Sequence, residues 1–113
     1  MTDQEINVAI AEVCGWTNSK ERRGRVNPID ITVWRFNNVE YLLPDYCHDL
    51  DAMHEAESRI ESREWRDYYE ALAKACKVDT EPQTSLTRIM LIVCAPSAKR
   101  AEAFLRVKGL WRD

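Results

Sequence analysis

Asp45, His48, Asp49 and His54 form the densest group of potential ligands in the chain. On a helix, Asp45, His48 and Asp49 would fall at i, i+3 and i+4 and share one face, a spacing that can offer two carboxylates and an imidazole to a divalent cation. The H-E-x-x-H pattern is absent, and acidic residues at a helix start already favour its dipole, so no metal or other cofactor is expected. Cys47 is the one cysteine with a base beside it in sequence, His48. Neighbours on a helix point in different directions, which argues against a nucleophile–base pair. Neither G-x-S-x-G nor a Walker loop occurs. The expectation is a protein without enzymatic activity.

Binding chemistry has better material. Between Thr17 and Pro28 the apolar pattern stops, and Lys20, Arg22, Arg23 and Arg25 surround Gly24. This stretch reads as a mobile basic loop that is either simply solvated or able to close over an anion. Lys99 and Arg100 stand in the first turn of the last expected helix, where cations run against the usual preference. They point to an anionic partner or to a salt bridge. Trp34, Tyr41 and Tyr46 either stack on a planar base, with Arg35 supplying charge, or fill the core. The candidate ligand-binding set is therefore Trp34, Arg35, Tyr41, Tyr46, Arg23, Arg25, Lys99 and Arg100, and the ligand class a small anionic, nucleotide-like molecule. A homo-oligomer would place two copies of the basic loop around one such ligand. The acidic helix around Glu55, Glu57 and Glu61 is the alternative surface, suited to a protein partner.

These residues need a scaffold, and 113 residues fit a single domain spanning 1–113. With 45% hydrophobic and 31% charged residues the chain has an ordinary globular composition. Sixteen basic against 19 acidic residues give a net charge of -3, which argues against binding along an extended nucleic acid. No apolar run approaches the roughly 18 residues that cross a bilayer, and Met1 leads into a polar helix start, so a cytoplasmic protein with no membrane partner is expected. Cys14, Cys47, Cys76 and Cys94 show no C-x-x-C spacing and read as buried free thiols.

Thr2-Asp3-Gln4-Glu5 is a capping box that opens a first helix carrying Ile6, Ile10, Val13 and Cys14, with Gly15 as its C-terminal cap and Trp16 as an anchor. Ile31 to Phe36 and Val39 to Leu43 are rich in β-branched and aromatic residues and flank Asn37-Asn38, predicting a hairpin with a type I′ turn. Its register sets Phe36 against Val39, Arg35 against Glu40, Trp34 against Tyr41 and Val33 against Leu42. A second helix is expected to open at Asp45 or Cys47, with Leu50, Met53 and Ile60 inward, and a third after Ser62-Arg63-Glu64 through Trp65, Tyr68, Tyr69, Leu72 and Cys76. Val78 to Thr84 reads as a loop, and Leu86 to Ala95, almost without a polar break, as a central strand covered on both faces. Ala98 to Lys108 closes the chain as a helix capped by Gly109. The order is α-β-β-α-α-β-α: an α+β fold with a small antiparallel sheet, hairpin plus central strand, sandwiched between helices.

Val33-Trp34, Leu43-Pro44-Asp45-Tyr46, Asp49-Leu50 and Met53-His54-Glu55-Ala56-Glu57 resemble segments of the phage ABA sandwich domain family of small tailed-phage proteins. Met1 to Trp16, with its Cys-Gly-Trp, is similar to that family's opening helix, and Arg100 to Arg106 with Gly109-Leu110-Trp111 to its closing one. The chain departs from the family at Phe36-Asn37-Asn38, where a Trp-x-Pro-Asp-Gly turn is common, and at Pro96, where a threonine cap is. The resemblance implies an α-β-α sandwich and an accessory protein in the host bacterial cytoplasm, and it implies no catalytic residue. Together with the aromatic hairpin and the basic loop, it suggests a counter-defence protein that sequesters a nucleotide-derived immune signal. The alternative is an interaction module that inhibits a host protein.

Overall fold

The computed structural model describes residues 1–76 and 93–113. Within them, α1 (Asp3–Val13) is followed by the strands β1 (Thr17–Arg23), β2 (Ile29–Phe36) and β3 (Val39–Tyr41). Then come α2 (Leu50–Glu57), a 3₁₀ turn (Ser62–Glu64) running into α3 (Trp65–Ala75), and α4 (Ser97–Val107). This is a small α+β fold with a three-stranded antiparallel sheet in the order β1-β2-β3.

Local chemistry accounts for most of these boundaries. The Thr2 hydroxyl accepts from the Glu5 amide while the Glu5 carboxylate reaches back to Thr2, so both ends of the capping box are made. Gly15 ends α1 with a φ of 93°, and Gly109 follows α4 with a φ of 73°. Asn37 and Asn38 take φ values of 52° and 65°, the left-handed pair that a type I′ turn requires. The turn fixes the pairs Phe36–Val39, Arg35–Glu40 and Trp34–Tyr41. The further pair, Val33 with Leu42, does not form. β3 stops at Tyr41, and Leu42 is 93% exposed where the chain leaves the sheet to bring Leu43 and Tyr46 onto the helices.

Other expectations about elements need correction too. The stretch from Thr17 is not a loop until Gly24: Thr17 to Arg23 pair with β2 residue by residue, from Thr17 opposite Arg35 to Arg23 opposite Ile29. Thr17–Lys20 and Arg22–Arg23 are exposed, so no apolar alternation marks this strand, and a backbone ladder with cross-strand ion pairs holds it. The second helix starts later than expected, because the Asp49 carboxylate accepts from the Asp51 and Ala52 amides and caps it there, leaving Tyr46, Cys47 and His48 in a turn.

The loop expected at Val78 to Thr84 and most of the strand expected at Leu86 to Ala95 lie outside the described residues. The end of that strand is described and is not one: Val93 and Cys94 are helical and turn residues, both exposed. The Arg100 guanidinium draws in the Val93 and Ala95 carbonyls, which are therefore not offered to a ladder. Cys94 is accordingly exposed, Cys76 half-buried, and Cys14 and Cys47 buried; all four thiols are free.

α4 is the element around which the helices gather, packing against α1, α2 and α3. Its small residues Ala101 and Ala103 permit close approach, and Phe104 and Leu105 fill the space with Ile10, Met53, Tyr68 and Leu72. The sheet is fastened to this core at one end, through the buried Trp34 and the half-buried Trp16 and Leu43.

Candidate functional site

Alternation along the strands sorts the sheet into two faces with different chemistry. On one, Ser19, Glu21 and Arg23 of β1 lie beside Arg35 of β2 and Glu40 of β3. Arg35 bonds Glu21 at 2.6 Å and the Ser19 hydroxyl at 3.0 Å, while Arg23 bonds Glu21 at 2.7 Å and both Glu40 oxygens at 3.0 Å. The chain of alternating charge lowers the Glu21 carboxyl, chiefly through the bond from Arg35, and the Glu40 carboxyl, chiefly through the bond from Arg23. Charge on this face is satisfied internally. Arg23 and Arg35, both expected to meet a ligand, belong to this network.

The other face carries Asn18, Lys20 and Arg22 of β1, Trp34 and Phe36 of β2, and Val39 and Tyr41 of β3. At its root, where the sheet meets the helices, Trp16 stacks on Phe36 with ring centroids 5.4 Å apart and meets Tyr41 edge-on at 5.8 Å. The Arg59 guanidinium lies 5.6 Å from the Phe36 ring centroid. Further out, Lys20 and Arg22 are exposed and make no ion pair among the described residues, although Asp30 stands opposite Arg22 in the ladder. Arg25 is likewise exposed and unpaired in the turn that joins β1 to β2. Gly24 makes that turn compact: its φ is 120°, and a Cβ there would stand 2.9 Å from the Asn27 carbonyl oxygen.

The cleft beside the root, lined by Cys14, Trp16, Phe36, Pro44, Tyr46 and Arg59, holds about 40 Å³. That is space for two or three waters and not for a nucleobase. A planar ligand on this face would therefore lie against the half-exposed Tyr41 and not in this cleft.

The remaining candidates fall elsewhere. Trp34 and Tyr46 are 9% and 3% exposed and belong to the core, and burial raises the Tyr46 phenol above its usual range. Lys99 is half-buried. Arg100 points inward and pairs with Glu57 of α2 at 3.1 Å, which accounts for a cation at the start of α4 by a salt bridge. Asp45, His48 and Asp49 do not converge, since Asp49 caps α2. The Asp45 carboxylate accepts instead from Asn7 at 3.2 Å and lies 3.0 Å from His48 Nδ1. The Cys47 thiol turns to the Asp3 carbonyl, 3.8 Å away, and burial raises its pKa to about 11, so it stays protonated near neutral pH.

The His48–Asp45 pair makes a pH prediction. The bond to Asp45 raises the His48 pKa above 6.5, and the bond to His48 lowers that of Asp45 below 3.8. A raised imidazole pKa contributes stability that is fully present below about 6.5 and lost as pH climbs through the folded value; the carboxylate's contribution is lost as pH falls below about 3.8. An NMR titration of the His48 ring should show a midpoint above that of His48 in Asp45→Asn, and equal midpoints would refute the pairing. Both groups are exposed, so the effect on stability is small.

Sequence reasoning grouped Lys20 and Arg22 with a loop and passed over Trp16, Phe36 and Arg59 as ligand contacts. Only the pairing of β1 with β2 places these cations on the aromatic face. Compared with family models, with curated proteins and with solved structures, the chain matches none.

Proposed function

We propose that this is a non-enzymatic binding protein whose partner is anionic and nucleotide-derived, held on the aromatic and basic face of the sheet. The observation that carries this is the contrast between the two faces. Arginines on one are matched by carboxylates, whereas Lys20 and Arg22 share the other with Tyr41 and the Trp16–Phe36 stack and have no ion-pair partner among the described residues. Unpaired cations on the same face as the half-exposed Tyr41 ring suit a ligand that brings both a phosphate and a base. The resemblance of the terminal helices to phage proteins sets the context: sequestration of a nucleotide-derived immune signal in the host bacterial cytoplasm, helped by a homo-oligomer that surrounds the ligand from two sides. Isothermal titration against mononucleotides, cyclic nucleotides, ADP-ribose derivatives and short oligonucleotides tests it. Heat is expected with at least one and should vanish in Lys20→Glu/Arg22→Glu; no heat with any of them would sink the proposal.

A second reading, a module that inhibits a host protein, is favoured by β3, an edge strand among the described residues, where Val39 and the following Leu42 are 50% and 93% exposed. The acidic helix surface is a weaker basis than its sequence suggests, because Glu57 is buried and only Glu55 and Glu61 of the three face solvent. A host protein that co-purifies through Val39 and Leu42, with no nucleotide heat, would decide for this reading.

A further inference from the structure

Two of the four thiols stand where α3 ends and α4 begins. Cys76 is the C-cap of α3, and Cys94 lies just before Pro96, the N-cap of α4. Polar contacts index how these two helices pack. Lys108, after the end of α4, bonds Glu64, before the start of α3, at 2.8 Å. Tyr68, one turn along α3, and Arg100, two turns back along α4, meet on the Glu57 carboxylate. The helices are therefore antiparallel, and the same progression brings the end of α3, at Cys76, beside the start of α4. Cys94 is held at that start by one guanidinium. Arg100 Nη2 donates to the Val93 carbonyl at 2.8 Å and Nε to the Ala95 carbonyl at 3.0 Å, fixing the backbone on both sides of Cys94. Arg100 also acts on Cys76: burial raises that thiol's pKa, and Lys99 and Arg100 oppose the rise.

We infer that Cys94 and Cys76 form a redox-modification site, with Cys94 the thiol that meets a low-molecular-weight disulfide and Cys76 the one that resolves it. Access sets the order, since Cys94 is exposed and Cys76 half-buried, while Cys14 and Cys47 are buried. The Cys94 thiolate attacks one sulfur of glutathione disulfide, breaking its S–S bond and releasing one glutathione thiolate. The Cys76 thiolate then attacks Cys94 Sγ and expels the second. Two protein thiols are oxidised, one glutathione disulfide is reduced, and the two protons lost by the cysteines are taken up by the two glutathione thiolates. The bond closes the chain from 76 to 94. By the chain-entropy account, a loop of that length raises the folding equilibrium constant on the order of a hundredfold. In a reducing compartment such a bond is transient and follows the thiol poise. The site shares no residue with the sheet face proposed to bind a ligand.

Incubation of the full chain in graded ratios of oxidised to reduced glutathione, alkylation, and tryptic mapping without reduction read the outcome. The expected product joins peptide 75–77 to peptide 89–99. Cys76→Ser should stop at a glutathione adduct on Cys94, and Cys94→Ser should leave Cys76 alkylated. Circular dichroism checks that both variants fold. The oxidised parent should melt at a higher temperature than the reduced one. A glutathione adduct on Cys94 without the cross-link, in the parent, would mean that the two Cα atoms are held beyond the roughly 7 Å a disulfide spans, and would overturn the pairing. A Cys94–Cys94 bond between two copies, or a cross-link to Cys14 or Cys47, would overturn it as well. An unchanged or lower melting temperature would overturn the stabilising role.

Discussion

Replacing Arg100 with alanine is expected to cost about 3–5 kcal/mol of folding free energy, the range for removing one partner of a buried ion pair. The Arg100 and Glu57 side chains are 7% and 9% exposed, and the pair joins α4 to α2. Glu57 also accepts the Tyr68 hydroxyl at 2.8 Å, which brings in α3, and lies 3.1 Å from His54 Nδ1. Without the guanidinium the carboxylate keeps only part of its compensation, and the Val93 and Ala95 carbonyls lose the donors that now reach them at 2.8 and 3.0 Å. Against a typical domain stability of about 5–15 kcal/mol such a loss is a large share. The triple variant Glu57→Leu/Tyr68→Phe/Arg100→Met removes the charges and the hydroxyl together and should recover much of it, because an apolar replacement carries no desolvation penalty. Urea unfolding of the two variants beside the parent makes the comparison. A loss below about 1 kcal/mol in Arg100→Ala would mean that the pair is hydrated.

The same arginine shows where reading a sequence reaches its limit. Its position in the first turn of a helix is legible, and so is the mismatch of charge with dipole, but whether the mismatch faces a ligand or Glu57 depends on how α2 and α4 pack across 43 positions of chain. Local signals fared better wherever the chemistry is complete within a few residues. The Thr2–Glu5 box, the Asn37-Asn38 turn and the glycines at 15 and 109 all depend on backbone geometry that neighbours decide. β1 escaped notice for the opposite reason. Thr-Asn-Ser-Lys-Glu-Arg-Arg has no apolar face to bury, so nothing in it signals a strand until β2 is beside it. The hairpin register was legible to Tyr41, and with it the shared face of Trp34 and Tyr41; which of the two the helices cover was not.

That difference makes the second prediction. Trp34→Ala is expected to destabilise the protein by about 3–5 kcal/mol, since a large aromatic 9% exposed is removed from the place where the sheet joins the helices. Tyr41→Ala, opposite it in the ladder but 52% exposed, should cost less than about 1 kcal/mol, the scale of an edge-on contact with Trp16 and a cross-strand pair. Binding should follow the reverse order. Tyr41→Ala keeps the fold and loses a stacking surface, whereas Trp34→Ala, at a denaturant-free temperature where it is still folded, keeps Tyr41, Lys20 and Arg22 on their strands. A thermal melt and a nucleotide titration on both variants separate the two roles. If Tyr41→Ala proves the more destabilising, the outer ring is part of the core and the face beside it is scaffold. If Trp34→Ala alone abolishes binding while folded, the ligand reaches deeper between sheet and helices than the 40 Å³ cleft allows.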